Sequence, residues 1–172
     1  MAIVFNSTVS ASGANSYASV AELNQYRENL GLSVLSESAA QVALIRATSW
    51  LDNCYRAYWK TQEKAESTQA LHWPQDGAKD FAGTTLSKTA IPAQVQQAVY
   101  EYAIRAESQT TLDPVPSTNV KSQELEGLGK QEFFNPKNSQ QLPDDFSFID
   151  TILTGLIVGR PGGARILRLE RA

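Results

Sequence analysis

The sequence predicts a mainly α fold: a bundle of about four helices with a β-hairpin, long loops, and extended N- and C-terminal arms. Apolar residues recur three and four positions apart in four separate segments, which is the spacing of one face of an α-helix. Residues typical of helix caps stand at the ends of these segments. The chain of 172 residues is 42% hydrophobic and 19% charged, a composition that suits one globular domain with its own core.

The chain begins with a segment that has neither a helical nor a strand period. Residues 1–18 are rich in Ser, Ala, Gly and Asn, so we expect an irregular N-terminal arm. Ser19 and Glu22 have the spacing of a capping box, and Gly31 stands where a helix should end. These residues predict a first helix at about 19–30.

A second helix is predicted from Ser38 to roughly residue 54. Its apolar residues cover much of its circumference, as in a helix at the centre of a bundle. Residues 55–90 show little periodicity, and a loop of this length in a compact domain usually binds a ligand or packs as an arm. Ile91 and Pro92 then begin a third helix, because Pro fits the first helical position.

Turn-forming residues and a weak alternation mark the last third of the chain. Asp113-Pro114-Val115-Pro116 should stop the third helix. Apolar residues alternate weakly near 118–134 and predict a β-hairpin. Asp144 or Asp145 can cap a last helix that ends at Gly159.

Charge and cysteine content narrow the class of protein. The net charge of −3 argues against attraction of the whole protein to nucleic acid or to an anionic membrane. The charge is uneven, since residues 160–172 hold four Arg and one Glu, whereas residues 1–159 hold 11 basic and 17 acidic residues. The only cysteine, Cys54, excludes an intramolecular disulfide and fits a reducing compartment. Without a signal peptide or a long apolar stretch, we expect a soluble intracellular protein.

No group of residues has a pattern typical of an enzyme. His72 is the only histidine and stands in no catalytic motif. One Cys and one His are too few for a zinc site. The pairs Asp144/Asp145 and Asp76/Asp80 suit a helix cap and a loop better than acid–base or Mg²⁺ chemistry. We therefore expect no enzymatic activity, no metal and no cofactor.

One segment interleaves aromatic and basic side chains, a pattern on which the bases of single-stranded DNA can stack. Helix packing with a solvated rim explains the same pattern, and we favour that interpretation. If the segment is an interface, its residues are Tyr55, Arg56, Tyr58, Trp59 and Lys60.

The C-terminal segment follows a Pro161-Gly162-Gly163 hinge and alternates imperfectly between apolar and charged residues. Terminal arms that dock on a partner use apolar side chains and Arg forks in this way, and a frayed end is the alternative. The chain is thus divided into an arm (1–18), a helical domain (19–159) and a docking tail (160–172). The residues that would dock are Arg160, Arg165, Ile166, Leu167, Arg168, Leu169 and Arg171.

Several short segments together resemble a phage protein family often labelled DnaT-like ssDNA-binding, whose members look like head–tail connector or adaptor proteins. The resemblance covers most of residues 13–158, in the expected order. Gln75 departs from it, because the family often has Arg after Trp-Pro. The segments are Gly13–Glu22, Ala43–Asp52 followed by Tyr55-Arg56, Ala70–Pro74, Ile91–Val95, and Phe148–Asp150 with the apolar run after it.

The resemblance implies a structural head–tail adaptor in the virion neck of a tailed bacteriophage. The implied partners are the portal protein, a stopper or tail-completion protein, neighbouring copies in a dodecameric ring, and passing genomic DNA that is not held tightly. The tail would dock on the portal or on a neighbouring adaptor, and no membrane contact is expected. The alternative is a DnaT-like single-stranded DNA-binding protein acting in phage replication. The acidic net charge argues against this alternative.

Overall fold

The computed structural model describes residues 4–108, 122–125, 129–132 and 147–159. Within them the chain forms four helices and one two-stranded sheet, so the predicted mainly α fold is confirmed. In chain order the elements are α1 (Val20–Asn29), α2 (Glu37–Tyr55), α3 (Ala93–Ser108), β1 (Ser122–Leu125), β2 (Gly129–Glu132) and α4 (Ser147–Ile152).

Helix α1 begins where the capping box predicts. The backbone N–H of Ser19 donates to Glu22 Oε2 at 2.7 Å, and the backbone N–H of Glu22 donates to Ser19 Oγ at 3.3 Å. After the last turn, Gly31 has a φ of +75°, a conformation that L side chains rarely adopt. Local capping chemistry therefore sets both ends of this helix.

Helices α2 and α3 form the centre of the fold and share its most extensive helix–helix contact. Trp50 stacks on Tyr102 between them, with ring centroids 4.0 Å apart. Helix α4 packs on α3, and α1 packs on both α2 and α3. The predicted central position of the second helix is therefore confirmed. Complete burial of a large apolar side chain contributes about 1.5–3 kcal/mol to stability. Such side chains include Leu44, Leu51, Val95, Val99, Ile149 and Leu153.

The predicted hairpin near 118–134 is present. Strands β1 and β2 pair antiparallel, with Ser122 opposite Glu132 and Leu125 opposite Gly129. The weak alternation of apolar residues in this part of the sequence was therefore enough to place it.

The last helix is shorter than the apolar pattern predicts. It ends at Ile152, whereas the pattern continues to Gly159. The two aspartates predicted to cap it lie outside the described residues. Beyond the helix, Gly155 has a φ of +97°, and residues 156–158 pair with the chain that follows α2. Backbone pairing with another segment requires an extended chain, so these apolar residues lie in a bridge instead of a helix. Leu156 is buried there, whereas Val158 is 58% exposed.

The irregular N-terminal segment packs on the helical body. The backbone N–H of Asn15 donates to the carbonyl of Asn6, and the backbone N–H of Asn6 donates to Asn15 Oδ1, both at 2.9 Å. The backbone N–H of Ala70 donates to the carbonyl of Ala11 at 3.2 Å. These bonds close the segment on itself and tie it to the long middle loop.

The middle loop between α2 and α3 is ordered by its own contacts. Trp73 precedes Pro74 through a cis peptide bond and meets Trp59 edge to face, with ring centroids 5.3 Å apart. Lys64 and Gln75 form an isolated antiparallel bridge. This loop packs as an arm against the core, which is one of the two roles expected for its length.

Helix α2, with 19 residues, is the longest helix in the described part of the chain. Neither it nor another described helix is long and apolar enough to cross a membrane.

Candidate nucleic-acid interface

Backbone hydrogen bonds join the C-terminal end of α2 to the chain that follows α4. The N–H of Lys60 donates to the carbonyl of Leu156 at 2.9 Å, and the N–H of Val158 donates to the carbonyl of Tyr58 at 2.6 Å. The residues between them form an isolated antiparallel bridge. This pairing fixes the last described residues of the chain beside the end of α2.

The five residues of the predicted aromatic-basic interface divide into a buried and an exposed set. Tyr55 is 1% exposed and Trp59 is 3% exposed, so neither ring is available to stack on a base. The hydroxyl of Tyr55 donates to the carboxylate of Asp150 at 2.6 Å. Burial, together with that carboxylate, raises the pKa of Tyr55 well above its usual range and keeps the hydroxyl a donor. The accessible set is Arg56 and Lys60, which are exposed, and Tyr58, which is half-buried.

A basic face runs along α2 and past its C-terminal end. Its helical positions lie three or four residues apart, which places them on one side of the helix. Residues 46–60 contain no exposed carboxylate. The one acidic residue among them, Asp52, is half-buried and accepts a hydrogen bond from the backbone N–H of His72. The exposed polar side chains of this basic face are Arg46, Ser49, Asn53, Arg56 and Lys60.

Asp52 is held by groups from two other segments. It accepts a hydrogen bond from the hydroxyl of Tyr17 and another from the backbone N–H of His72, the latter at 3.2 Å. The Tyr17 oxygen in turn accepts from the backbone N–H of Trp73 at 3.2 Å. Burial, followed by the Asp52 carboxylate, raises the pKa of Tyr17 well above its usual range. The Asp52 carboxylate therefore links the N-terminal segment and the middle loop to α2 by hydrogen bonds.

His72 lies behind the basic face with its ring buried. Neither ring nitrogen has a hydrogen-bond partner among the described residues. Desolvation lowers the pKa of His72, the nearby Asp52 carboxylate opposes this, and Arg56 and Lys64 lower it further. The imidazole is accordingly neutral at pH 7 and adds no positive charge to the face.

Sequence reasoning missed Arg46 as a member of this face. It lies on the exposed side of α2, ten residues before Arg56, with Ser49 and Asn53 between them. The signal was present as a polar period of three and four residues along a helix whose other positions are apolar. Arg46 extends the predicted interface over the C-terminal half of α2.

The predicted docking residues belong to the C-terminal tail. Arg160 and the other six residues of that set lie outside the described residues. Their sequence nevertheless begins directly after Gly159, and a β-carbon on Gly159 would lie 4.0 Å from Cδ1 of Tyr58. Gly159, the last described residue, therefore lies beside the accessible part of the aromatic-basic segment.

In residues 4–108, 122–125, 129–132 and 147–159, no group of three or more His, Cys, Asp or Glu residues could hold a metal ion. The expectation of a protein without a cofactor stays a prediction.

A family model described as "Putative DnaT-like ssDNA binding protein" matches residues 1–172, the whole chain. The chain belongs to this family. No curated protein and no solved structure matches it significantly. Membership of the DnaT-like family confirms the label that the short sequence segments suggested.

The interpretation of the chain as a head–tail adaptor is wrong. The DnaT-like family match points to single-stranded DNA binding and gives no support to a connector identity. The portal, stopper and ring partners, and the expectation that DNA is not held tightly, are wrong for the same reason. The net charge of −3 was misleading because it averages over the whole chain, whereas the basic face of α2 is a local feature.

Proposed function

We propose that this protein binds single-stranded DNA without catalysing a reaction. The observation that carries the proposal is the basic face of α2, with three exposed cations and no exposed carboxylate between residues 46 and 60. The name of the family, a DnaT-like ssDNA-binding one, supports the same function.

The spacing of the cations suits a flexible phosphate backbone. Arg46 and Arg56 are ten residues apart, which corresponds to roughly 15 Å along a helix. Electrostatic interactions are screened over about 8–10 Å at ordinary ionic strength. Phosphates that contact this face therefore experience its three cations more strongly than distant acidic residues. A negative net charge and local binding of DNA are compatible.

At the C-terminal end of the basic face, the protein has an aromatic ring, Tyr58, and an Arg-rich sequence follows Gly159. Tyr58 is half-buried, between Arg56 and Lys60 in the sequence, and an aromatic ring beside cations suits base stacking. Gly159 lies against this tyrosine, and residues 160–172 follow with four Arg and one Glu. We propose that the arginines of this segment contact the same strand of DNA and supplement the basic face.

Charge reversal on the basic face tests this assignment. We expect Arg56→Glu to weaken binding of a fluorescein-labelled oligothymidine at least about tenfold, because it removes a phosphate contact and adds repulsion. The slope of log K against log[salt] should also fall in magnitude by about 0.7, the contribution of one phosphate contact on a single strand. Lys88→Glu is the matched control, since Lys88 is exposed but lies outside the face.

Two results would contradict different parts of the proposal, the binding surface on α2 and the binding of single-stranded DNA itself. If Arg56→Glu and Lys88→Glu weaken binding equally, DNA binding stands but the α2 face is the wrong surface. If the wild-type protein shows no binding at 50 mM salt, the proposed function itself fails.

A further inference from the structure

A short turn in the middle loop presents one aromatic ring to solvent. Phe81 is 80% exposed, a high value for a large apolar side chain. Hydrogen bonds hold the turn on both sides of it: the N–H of Leu86 donates to the carbonyl of Ala78 at 2.8 Å, and the N–H of Thr84 donates to Asp80 Oδ1 at 2.8 Å. The ring is thus exposed on an ordered turn.

The backbone beneath the ring is fixed against another part of the chain. A β-carbon built on Gly155 would lie 2.8 Å from both the backbone nitrogen and the β-carbon of Phe81. Only a residue without a side chain permits this approach, and Gly155 also has a φ of +97°. Residue 81 is therefore anchored by its backbone while its ring remains exposed.

The same C-terminal segment links this turn to the basic face. Gly155 lies against Phe81, and Gly159 lies against Tyr58 at the end of α2. Four residues span at most about 14 Å even when fully extended. The backbone of Phe81 and the ring of Tyr58 therefore contact the two ends of one short segment, residues 155–159.

We propose that Phe81 is a stacking platform for a base of single-stranded DNA. The proposal rests on the proposed function and adds a specific contact to it. Base–aromatic stacking needs one accessible ring face and tolerates any base, because every base has a π-face. Here the ring is followed by Ala82 and Gly83, which leave it unobstructed, and exposed Lys79 in the same turn can contact a phosphate.

The chemistry of the turn favours a base over a protein partner. Docking surfaces for proteins are contiguous apolar patches of several hundred Å². Residues 79–85 hold one large apolar side chain among small and polar ones. The exposed ring has a cation, Lys79, two positions before it, and the intervening Asp80 carboxylate accepts a hydrogen bond from the backbone N–H of Thr84. A single ring with a cation in the same turn matches the arrangement that contacts one nucleotide.

Substitutions at Phe81 test the proposal by titration with oligothymidine. Loss of one stacked base weakens binding roughly 5- to 150-fold, so we expect Phe81→Ala to fall in this range with the salt slope unchanged. Phe81→Leu should weaken binding similarly, because it keeps an apolar side chain but no ring. Phe81→Trp should bind at least as well as wild type. Val34→Ala, at an exposed apolar position before α2, should not change binding.

A fluorescence signal gives a second readout. Trp59 and Trp73 are buried and Trp50 is half-buried, so the indole added by Phe81→Trp is the exposed one. Stacking on a base should quench its emission on addition of oligothymidine, beyond any change in the wild-type protein.

Three outcomes would overturn the proposal. If wild type binds and Phe81→Ala binds equally well, Phe81 is not a platform, although the function stands. If Phe81→Leu binds as tightly as wild type, the contact is apolar and the ring is not stacked. If wild type does not bind, the function and the platform fail together.

Discussion

The backbone N–H of Val158 donates a 2.6 Å hydrogen bond to the carbonyl of Tyr58. The bond joins the last described residues of the chain to the end of α2, where the basic face ends. The sequence after Gly159 carries four arginines. The segment at 155–159 contacts Phe81 at one end and Tyr58 at the other.

Gly155→Ala should destabilise the protein more than the same substitution at a comparable glycine. Gly77 also has a positive φ, +71°, but nothing lies within 4 Å of the β-carbon it would gain. Gly77→Ala should therefore cost about 1 kcal/mol in backbone strain. Gly155→Ala adds a clash with Phe81, and overpacking of this kind costs about 1–3 kcal/mol more. Urea unfolding curves of the two variants measure the difference.

Equal unfolding free energies for the two variants would show that the contact between Gly155 and Phe81 is not close. If the contact is as close as described, Gly155→Ala should also weaken binding of oligothymidine through displacement of the Phe81 turn, whereas Gly77→Ala should not.

Tyr17→Phe should destabilise the fold by about 1–3 kcal/mol. The hydroxyl of Tyr17 is buried, donates to Asp52 and accepts from the backbone N–H of Trp73, so its loss leaves buried groups without partners. Tyr26→Phe is the matched control, because its hydroxyl donates to Glu101 at 2.7 Å in a more exposed position. The free energy of unfolding should fall less there. A larger loss for Tyr26→Phe would contradict the proposed role of the Asp52 network.

His72 should make the stability of the protein fall as the pH is lowered from 8 to 5.5. Its pKa in the folded state lies below the ordinary value of 6.5, so below that pH the unfolded chain binds a proton that the folded protein does not. The free energy of unfolding is therefore highest above pH 6.5 and decreases below it. The charged groups that act on the ring are Asp52, Arg56 and Lys64.

His72→Leu removes the titrating group while keeping a buried side chain of similar size. We expect the free energy of unfolding of this variant to vary less between pH 8 and 5.5 than that of wild type, as measured by urea unfolding at each pH. An identical decrease in both proteins would show that His72 is not its source.

The boundaries of α1 were predictable because local capping sets them, whereas α2 is capped by Ser36 and not by the predicted Ser38. Ser19, Glu22 and Gly31 define α1 through contacts within a few residues of sequence. The end of α4 was not predictable, because Ile152 is followed by residues that pair with a segment nearly a hundred positions earlier. An apolar pattern identifies buried residues, and it cannot distinguish a helix from a buried bridge when the partner is distant in sequence.

The candidate site was predictable only in part, for a similar reason. Arg56 and Lys60 are exposed, and each directly follows a buried aromatic residue, Tyr55 or Trp59. The i, i+4 spacing of these two aromatic residues is typical of a core face. No sequence pattern indicated that the ring of Phe81 is exposed, because the exposure of a ring in a loop depends on tertiary contacts. The acidic net charge concealed a basic face that becomes visible only when Asp52 is seen to be engaged in the interior.

The salt dependence of binding to single-stranded and duplex oligonucleotides of equal length tests the central claim most directly. Each phosphate contacted on a single strand contributes a slope of about −0.7 in log K against log[salt]. The three cations of the basic face predict a slope of about −2, rising in magnitude to about −5 if the four C-terminal arginines also contact the strand. We predict such a slope, together with tighter binding to the single strand because only its bases are free to stack. Equal affinity for the duplex, or no binding to the single strand at 50 mM salt, would contradict the account.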